Sequence, residues 1–245
     1  MPPAGSSASI YANWKKTIDS RINVVPIDYP GHGSKMNEPL LKDSNYLANK
    51  ISKYISEYSD LPYIIFGHSL GGALIWKVLP NLYHCHVIDK LMFIVISGRP
   101  INKGMQHLQY HTPPSDEQIL FHLKRYGNFP NEILYNSDAL AFFLHIIRHD
   151  FEINNQLIKE SIEKTNIPLA VFYGKHDPDI VDVDMMYEWE QYTEQWLGCT
   201  SFNGGHFYFI NHEEREKLLK KLTFMVLNYK KINNLTNNID NHYHL

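Results

Sequence analysis

Residues 67–71 read Gly-His-Ser-Leu-Gly, a Gly-x-Ser-x-Gly pattern that sets a serine on a sharp turn between a strand and a helix. Such a turn holds its serine in strained backbone geometry, and small flanking residues avoid clashes there. Alone, five residues carry little weight. Here an apolar run, Tyr63-Ile64-Ile65-Phe66, precedes them, and a helix-forming stretch, Gly72-Ala73-Leu74-Ile75-Trp76-Lys77, follows. That is the context the pattern needs, and it makes Ser69 the candidate nucleophile. His68 lies on the turn itself and is expected to face away from Ser69 in a structural role.

A serine hydroxyl is a weak nucleophile until a base takes its proton and an acid orients that base. The chain has 14 histidines, so residue type alone selects none of them. Gly204-Gly205-His206 stands out, because two glycines after the apolar segment 199–202 let a loop fold inward and deliver an imidazole. His206 is the candidate base, with His212 the distant alternative. For the acid, Gly174-Lys175-His176-Asp177-Pro178 follows a strand-like run at 169–173. Asp177 is the first candidate and Asp179 the second, while Asp182 and Asp184 read as solvated residues at a helix start. An oxyanion formed by attack on a carbonyl needs backbone N–H donors. Leu70, directly after the nucleophile, is one candidate, and Ala4, in the small-residue stretch Pro3-Ala4-Gly5-Ser6, is the other.

Two further clusters are weaker. His84-Cys85-His86 could suggest a metal, but no other Cys or His at ligand spacing completes a closed site, so no metal is expected. The basic run within 215–231 reads as a solvated helix face, with contact to an acidic partner the less favoured reading.

The elements that must hold these residues are legible in the apolar pattern. Runs at 23–29, 63–66, 91–97 and 168–173 are rich in β-branched and aromatic residues and end at Gly or Pro. They read as buried parallel strands. Helical patterns at 47–59 and 72–82 lie between them, so the expected architecture is α/β, a mostly parallel, doubly wound sheet. In such a sheet, functional groups collect at the carboxyl ends of the strands. Residues 101–165 break the alternation. Ser115-Asp116-Glu117-Gln118 has capping-box form, followed by Ile119, Leu120, Leu123 and Tyr126 at helical spacing, and 138–151 carries a second stripe. An inserted helical lid is expected there. Residues 1–232 read as one domain, and the Asn-rich tail 233–245 reads as frayed or disordered.

Composition bounds the rest. Lys plus Arg is 23 against 26 for Asp plus Glu, a net charge of −3, which argues against nucleic-acid binding through a broad basic footprint. Two cysteines exclude a disulfide framework. No apolar run approaches the ~20 residues that a bilayer requires, and the first residues have no signal-peptide pattern. A soluble, cytoplasmic protein with no membrane partner is expected, and a monomer is the default.

Taken in order, these motifs resemble the type II (external, editing) thioesterases of polyketide and nonribosomal peptide biosynthesis, within the α/β-hydrolase superfamily. The opening Pro2-Pro3-Ala4-Gly5-Ser6-Ser7-Ala8-Ser9, with Tyr11 and Trp14, is similar to that family's first motif. Val25-Pro26-Ile27-Asp28-Tyr29-Pro30-Gly31-His32-Gly33, the elbow at 67–72, Ser97-Gly98-Arg99, lid segments near 114–126 and 146–151, Asp177-Pro178 and Gly204-Gly205-His206-Phe207 follow. The resemblance implies hydrolysis of short or aberrant acyl thioesters on the phosphopantetheine arm of acyl or peptidyl carrier protein domains. It implies Ser69 as nucleophile, His206 as base and then acid, and Asp177 as the orienting acid. The protein would need no cofactor of its own, and basic residues near the entrance would meet an acidic carrier. A serine esterase acting on free small esters would use the same triad and is the alternative. One departure is visible. The family carries a short central strand ahead of its opening motif, whereas Met1 here abuts that motif, so a misassigned start codon or a truncated sequence is expected.

Overall fold

The computed structural model describes residues 1–109, 113–127, 129 and 131–240, the side chains of 107, 108 and 230–240 excepted. Four parallel strands, β1 (Tyr63–His68), β2 (Leu91–Ser97), β3 (Leu169–Gly174) and β4 (Trp196–Phe202), form a sheet in the order β1-β2-β3-β4. The helices are α1 (Trp14–Thr17), α2 (Ser44–Tyr58), α3 (Leu70–His84), α4 (Asp116–Tyr126), α5 (Asn131–Leu134), α6 (Ser137–Lys159), α7 (Asp184–Tyr187) and α8 (His212–Asp240). No helix among the described residues is long and apolar enough to cross a membrane.

β2 is buried at every position, as a strand covered on both faces must be. Its residues alternate between two apolar layers. Ile94 and Ile96 pack with α2, α3 and Trp189, whereas Phe93 and Val95 pack with α8, Tyr11 and Trp14. α3 links β1 to β2, and α4, α5 and α6 lie between β2 and β3, where the break in alternation predicts an insertion. Side chains fix where the helices begin. Asp43 accepts from the Tyr46 N–H at the start of α2, and Ser115 and Gln118 form the full capping box at α4.

Two expectations differ from the structure. Residues 23–29 carry no strand. A strand exists only where a neighbour completes its ladder, and a groove of about 510 Å³ separates Val24–Ile27 from β1, the edge strand. Met1 reaches β1 through its backbone, its amino group donating to Phe66 O at 2.8 Å and its carbonyl oxygen accepting from the His68 N–H at 3.2 Å. At the other end, α8 keeps the backbone helical to Asp240, across part of the expected frayed tail, while 241–245 lie outside the described residues.

Candidate active site

The carboxyl ends of all four strands meet at one edge, joined by backbone bonds beyond the ladder. The Ser69 N–H donates to Ser97 O at 2.8 Å, Gly98 N–H to Phe172 O at 2.8 Å, and Lys175 N–H to Phe202 O at 2.9 Å. Ser69 follows β1 and has φ 52°, ψ −114°, a left-handed conformation unusual for a non-glycine residue. The turn is tight enough that a Cβ on Gly67 would strike the Gly71 carbonyl, and one on Gly71 would strike the Met1 carbonyl. Glycine is required at both ends of the elbow, as the pattern predicts.

His206 and Asp177 are brought together. His206 Nδ1 lies 2.7 Å from Asp177 Oδ2, and the residues are 1% and 4% exposed. Because a carboxylate only accepts, Nδ1 carries the proton and Nε2 is left to act as a base. Burial opposes charge on His206, but the charge and hydrogen bond of Asp177 outweigh it and hold its pKa above the ordinary value. Among the described residues, Ser69 Oγ forms no hydrogen bond to His206. Such bonds are often long without substrate and tighten only when it binds.

Beneath His206 sits His68, ring to ring at 4.8 Å. His68 Nδ1 is 2.9 Å from Ser97 Oγ, which in turn is 2.8 Å from Tyr208 Oη. Burial, and then the neighbouring His206, keep the His68 pKa well below its ordinary value, so this imidazole packs there uncharged.

Asp179, the second candidate acid, serves differently. Its N–H donates to Asp177 Oδ1 at 3.0 Å, and its Oδ2 accepts from Tyr126 Oη at 2.6 Å. Tyr126, at the end of α4, stacks on His206 with ring centroids 4.4 Å apart and planes 20° from parallel. Arg125 donates to Pro178 O at 2.7 Å. Its helical spacing puts Tyr126 on a packing stripe, and the fold ends that stripe on the imidazole. Asp182 and Asp184 are exposed around the start of α7, and His212, the alternative base, is exposed beside Glu216.

Of the predicted oxyanion donors, Leu70 lies on the elbow itself and Ala4 on the loop that follows Met1 and Pro2. Leu70 is the first residue of α3, so its N–H has no intrahelical acceptor. The main chain of Met1 and Pro2 packs against Gly71, bringing the loop that carries Ala4 alongside. Among the described residues, the Ala4 N–H meets no protein acceptor.

Asp177, Asp179 and His206 could also be considered as metal ligands, since their donor atoms lie within 4.8 Å of one another. The atoms that would bind a cation are already joined in a chain of hydrogen bonds, Tyr126 to Asp179 and His206 to Asp177. That arrangement suits proton handling better than chelation. Cys85, in the other cluster considered, is exposed and uncrosslinked.

A family model described as a thioesterase domain matches residues 1–224. The chain belongs to the thioesterase domain family. A relative named linear gramicidin dehydrogenase LgrE, from Brevibacillus parabrevis, is 28% identical over 221 residues, covering 88% of this chain and 82% of its own. Among solved structures, the RedJ thioesterase of prodiginine biosynthesis in Streptomyces coelicolor matches with a TM-score of 0.78 at 22% identity, over 91% of this chain and 87% of its own. The type II thioesterase BorB from the borrelidin biosynthetic cluster matches with a TM-score of 0.73 at 25% identity, covering 90% and 88%. The printed name of the Brevibacillus relative denotes a dehydrogenase, whereas this chain, a thioesterase by family, sets Ser69, His206 and Asp177 at one sheet edge. Its fold is the α/β-hydrolase fold, a parallel sheet flanked by helices.

Proposed function

We propose that this thioesterase removes acyl groups from the phosphopantetheine arm of acyl or peptidyl carrier protein domains, proofreading a polyketide or nonribosomal peptide assembly line. Ser69 Oγ attacks the thioester carbonyl while His206 Nε2 takes its proton. The Ala4 and Leu70 N–H groups stabilise the oxyanion. Collapse of the tetrahedral intermediate breaks the C–S bond, and His206 returns the proton to the departing thiolate. Water, deprotonated by the same imidazole, then attacks the acyl-enzyme and releases the carboxylic acid and free Ser69. Asp177 holds the ring in the tautomer that this sequence of steps requires. The phosphopantetheine belongs to the substrate, and side chains and water supply the chemistry.

The observation that carries this reading is the buried His206–Asp177 pair beside a strained Ser69 at one sheet edge. The assembly-line setting is supported by the similar structures, whose printed titles refer to the prodiginine biosynthetic pathway and the borrelidin biosynthetic cluster. The test compares one short acyl group presented as the carrier thioester, the coenzyme A thioester and a simple aryl ester. The carrier form is expected to be hydrolysed fastest, and Ser69→Ala to lose roughly six orders of magnitude in turnover. Faster aryl ester cleavage with the carrier thioester untouched would replace this reading with a free-ester hydrolase.

A further inference from the structure

Asp150 lies on the buried stripe of α6 at 2% exposure, facing His32 at 4% exposure. Its Oδ2 accepts from the Gly5 N–H at 2.7 Å and lies 3.0 Å from His32 Nε2. His32 Nδ1 is 3.1 Å from the Pro30 carbonyl oxygen. A carbonyl oxygen only accepts, so Nδ1 carries a proton. Nε2 faces a carboxylate oxygen, so it carries one too. Two acceptors facing the two ring nitrogens suit an imidazolium paired with Asp150 in the interior. Burial opposes that charge, but the hydrogen bond and charge of Asp150 prevail and raise the His32 pKa.

A buried ion pair is costly to desolvate and is weak evidence for stability. What this one holds is the stretch predicted to form half of the oxyanion site. Gly5 directly follows Ala4, and the Ser6 N–H closes a turn onto Pro3 O at 3.2 Å. Gly5 has φ 69°, and a Cβ there would sit 2.5 Å from Ile147 Cγ1 of α6, so the loop rests directly on that helix. A second carboxylate secures the far end, where the Ala8 N–H donates to Asp28 Oδ1 at 2.6 Å.

We infer that Asp150, through its ion pair with His32, is a positioning residue that aims the Ala4 N–H at the substrate oxyanion and makes that donor depend on the seating of helix α6. The inference rests on the proposed serine mechanism and deepens it.

Asp150→Asn tests it, because a neutral amide cannot meet Gly5 and the His32 imidazole as the carboxylate does. With its oxygen toward them, the amide leaves the His32 cation uncompensated. With its NH₂ toward them, it opposes the Gly5 N–H. Loss of one oxyanion donor lowers kcat about 10²-fold or more. On the aryl ester, where carrier recognition plays no part, Asp150→Asn is expected to lose about 10²-fold in kcat with KM held within about threefold. The double variant Asp150→Asn with His32→Gln restores a neutral donor for the Asn oxygen and is expected to recover at least about tenfold, a step of ~1.4 kcal/mol. A merely structural role would lower the unfolding midpoint without that recovery. Asp150→Asn at near wild-type kcat, or a double variant no better than the single, overturns the inference. Should Asp150→Asn fail to fold, Asp150→Glu keeps the charge but moves the carboxylate, and an unchanged kcat there overturns it equally. Ser69→Ala separates the two readings. If that variant stays active, the serine mechanism falls and this inference with it. If it is inactive, the Asp150 variants decide alone.

Discussion

At the scale of single residues, the site divides into groups that react and groups that set their protonation. In the proposed mechanism His206 must be neutral at Nε2 to accept the Ser69 proton. Its pKa is raised because the negative charge of Asp177 outweighs burial. Protonation therefore removes the base at a higher pH than it would for an ordinary histidine, whose pKa is about 6.5. The acid limb of kcat/KM, which reports the free enzyme, is expected above that value and activity should fall as pH drops through it. Asp177→Asn removes the charge that favours the imidazolium, so the limb should move down. It also removes the partner that selects the tautomer, and kcat should fall by about 10⁴. A pH–rate series on the two proteins checks both effects. A limb that stays in place in the variant would show that Asp177 does not set this pKa.

At the scale of elements, the inserted helices are part of the site. α4 reaches the proposed triad through Tyr126, which stacks on His206 and donates to Asp179. Aromatic stacking contributes about 0.5–1.5 kcal/mol beyond area burial, and a hydrogen bond to a charged group about 1.5–3 kcal/mol. Tyr126→Phe keeps the ring and loses the hydroxyl, whereas Tyr126→Ala loses both. The alanine variant is expected to lower kcat about tenfold more than the phenylalanine variant, the step that ~1.4 kcal/mol of ring support implies. Steady-state kinetics on the aryl ester reads the ordering, and equal effects would assign the role to the hydroxyl alone.

This element also marks how far the sequence could be read. The elbow, the ends of β1, β2 and β3 and the Ser115 cap follow from local rules, because a turn needs glycine, a doubly covered strand needs an unbroken apolar run, and a cap needs a side-chain acceptor. Tyr126 and the His32–Asp150 pair obey no local rule. Their partners lie 80, 53 and 118 residues away, and only tertiary packing brings them together. One signal was available. Asp150 and Asn154 interrupt the buried stripe that Ile147, Ile153 and Leu157 define on α6, and a polar residue at a core phase requires a buried partner. The segment 23–29 failed for the complementary reason, since an apolar run gives a strand only where a neighbour completes its ladder.

At the scale of the whole molecule, one sheet separates two apolar layers while its carboxyl edge assembles the site from all four strands. Adjacent residues of β2 serve opposite layers, Phe93 toward α8 and Ile94 toward α2 and α3, and both are fully buried. If the layers stabilise each other through the shared sheet, damage to either must lower one common transition. Phe93→Ala is expected to cost about 3–5 kcal/mol and Ile94→Ala about 2–5 kcal/mol. Each layer contains its own tryptophan, Trp14 with Phe93 and Trp189 with Ile94. Fluorotryptophan resonances from these two residues, followed through a denaturant titration, report the layers separately. In both variants they are expected to disappear at one shared, lowered midpoint, as in a two-state transition. Separate midpoints, with only the mutated layer melting early, would show that the sheet does not couple its faces. The strand ends carrying Ser69, Asp177 and His206 would then depend on two folding units rather than one.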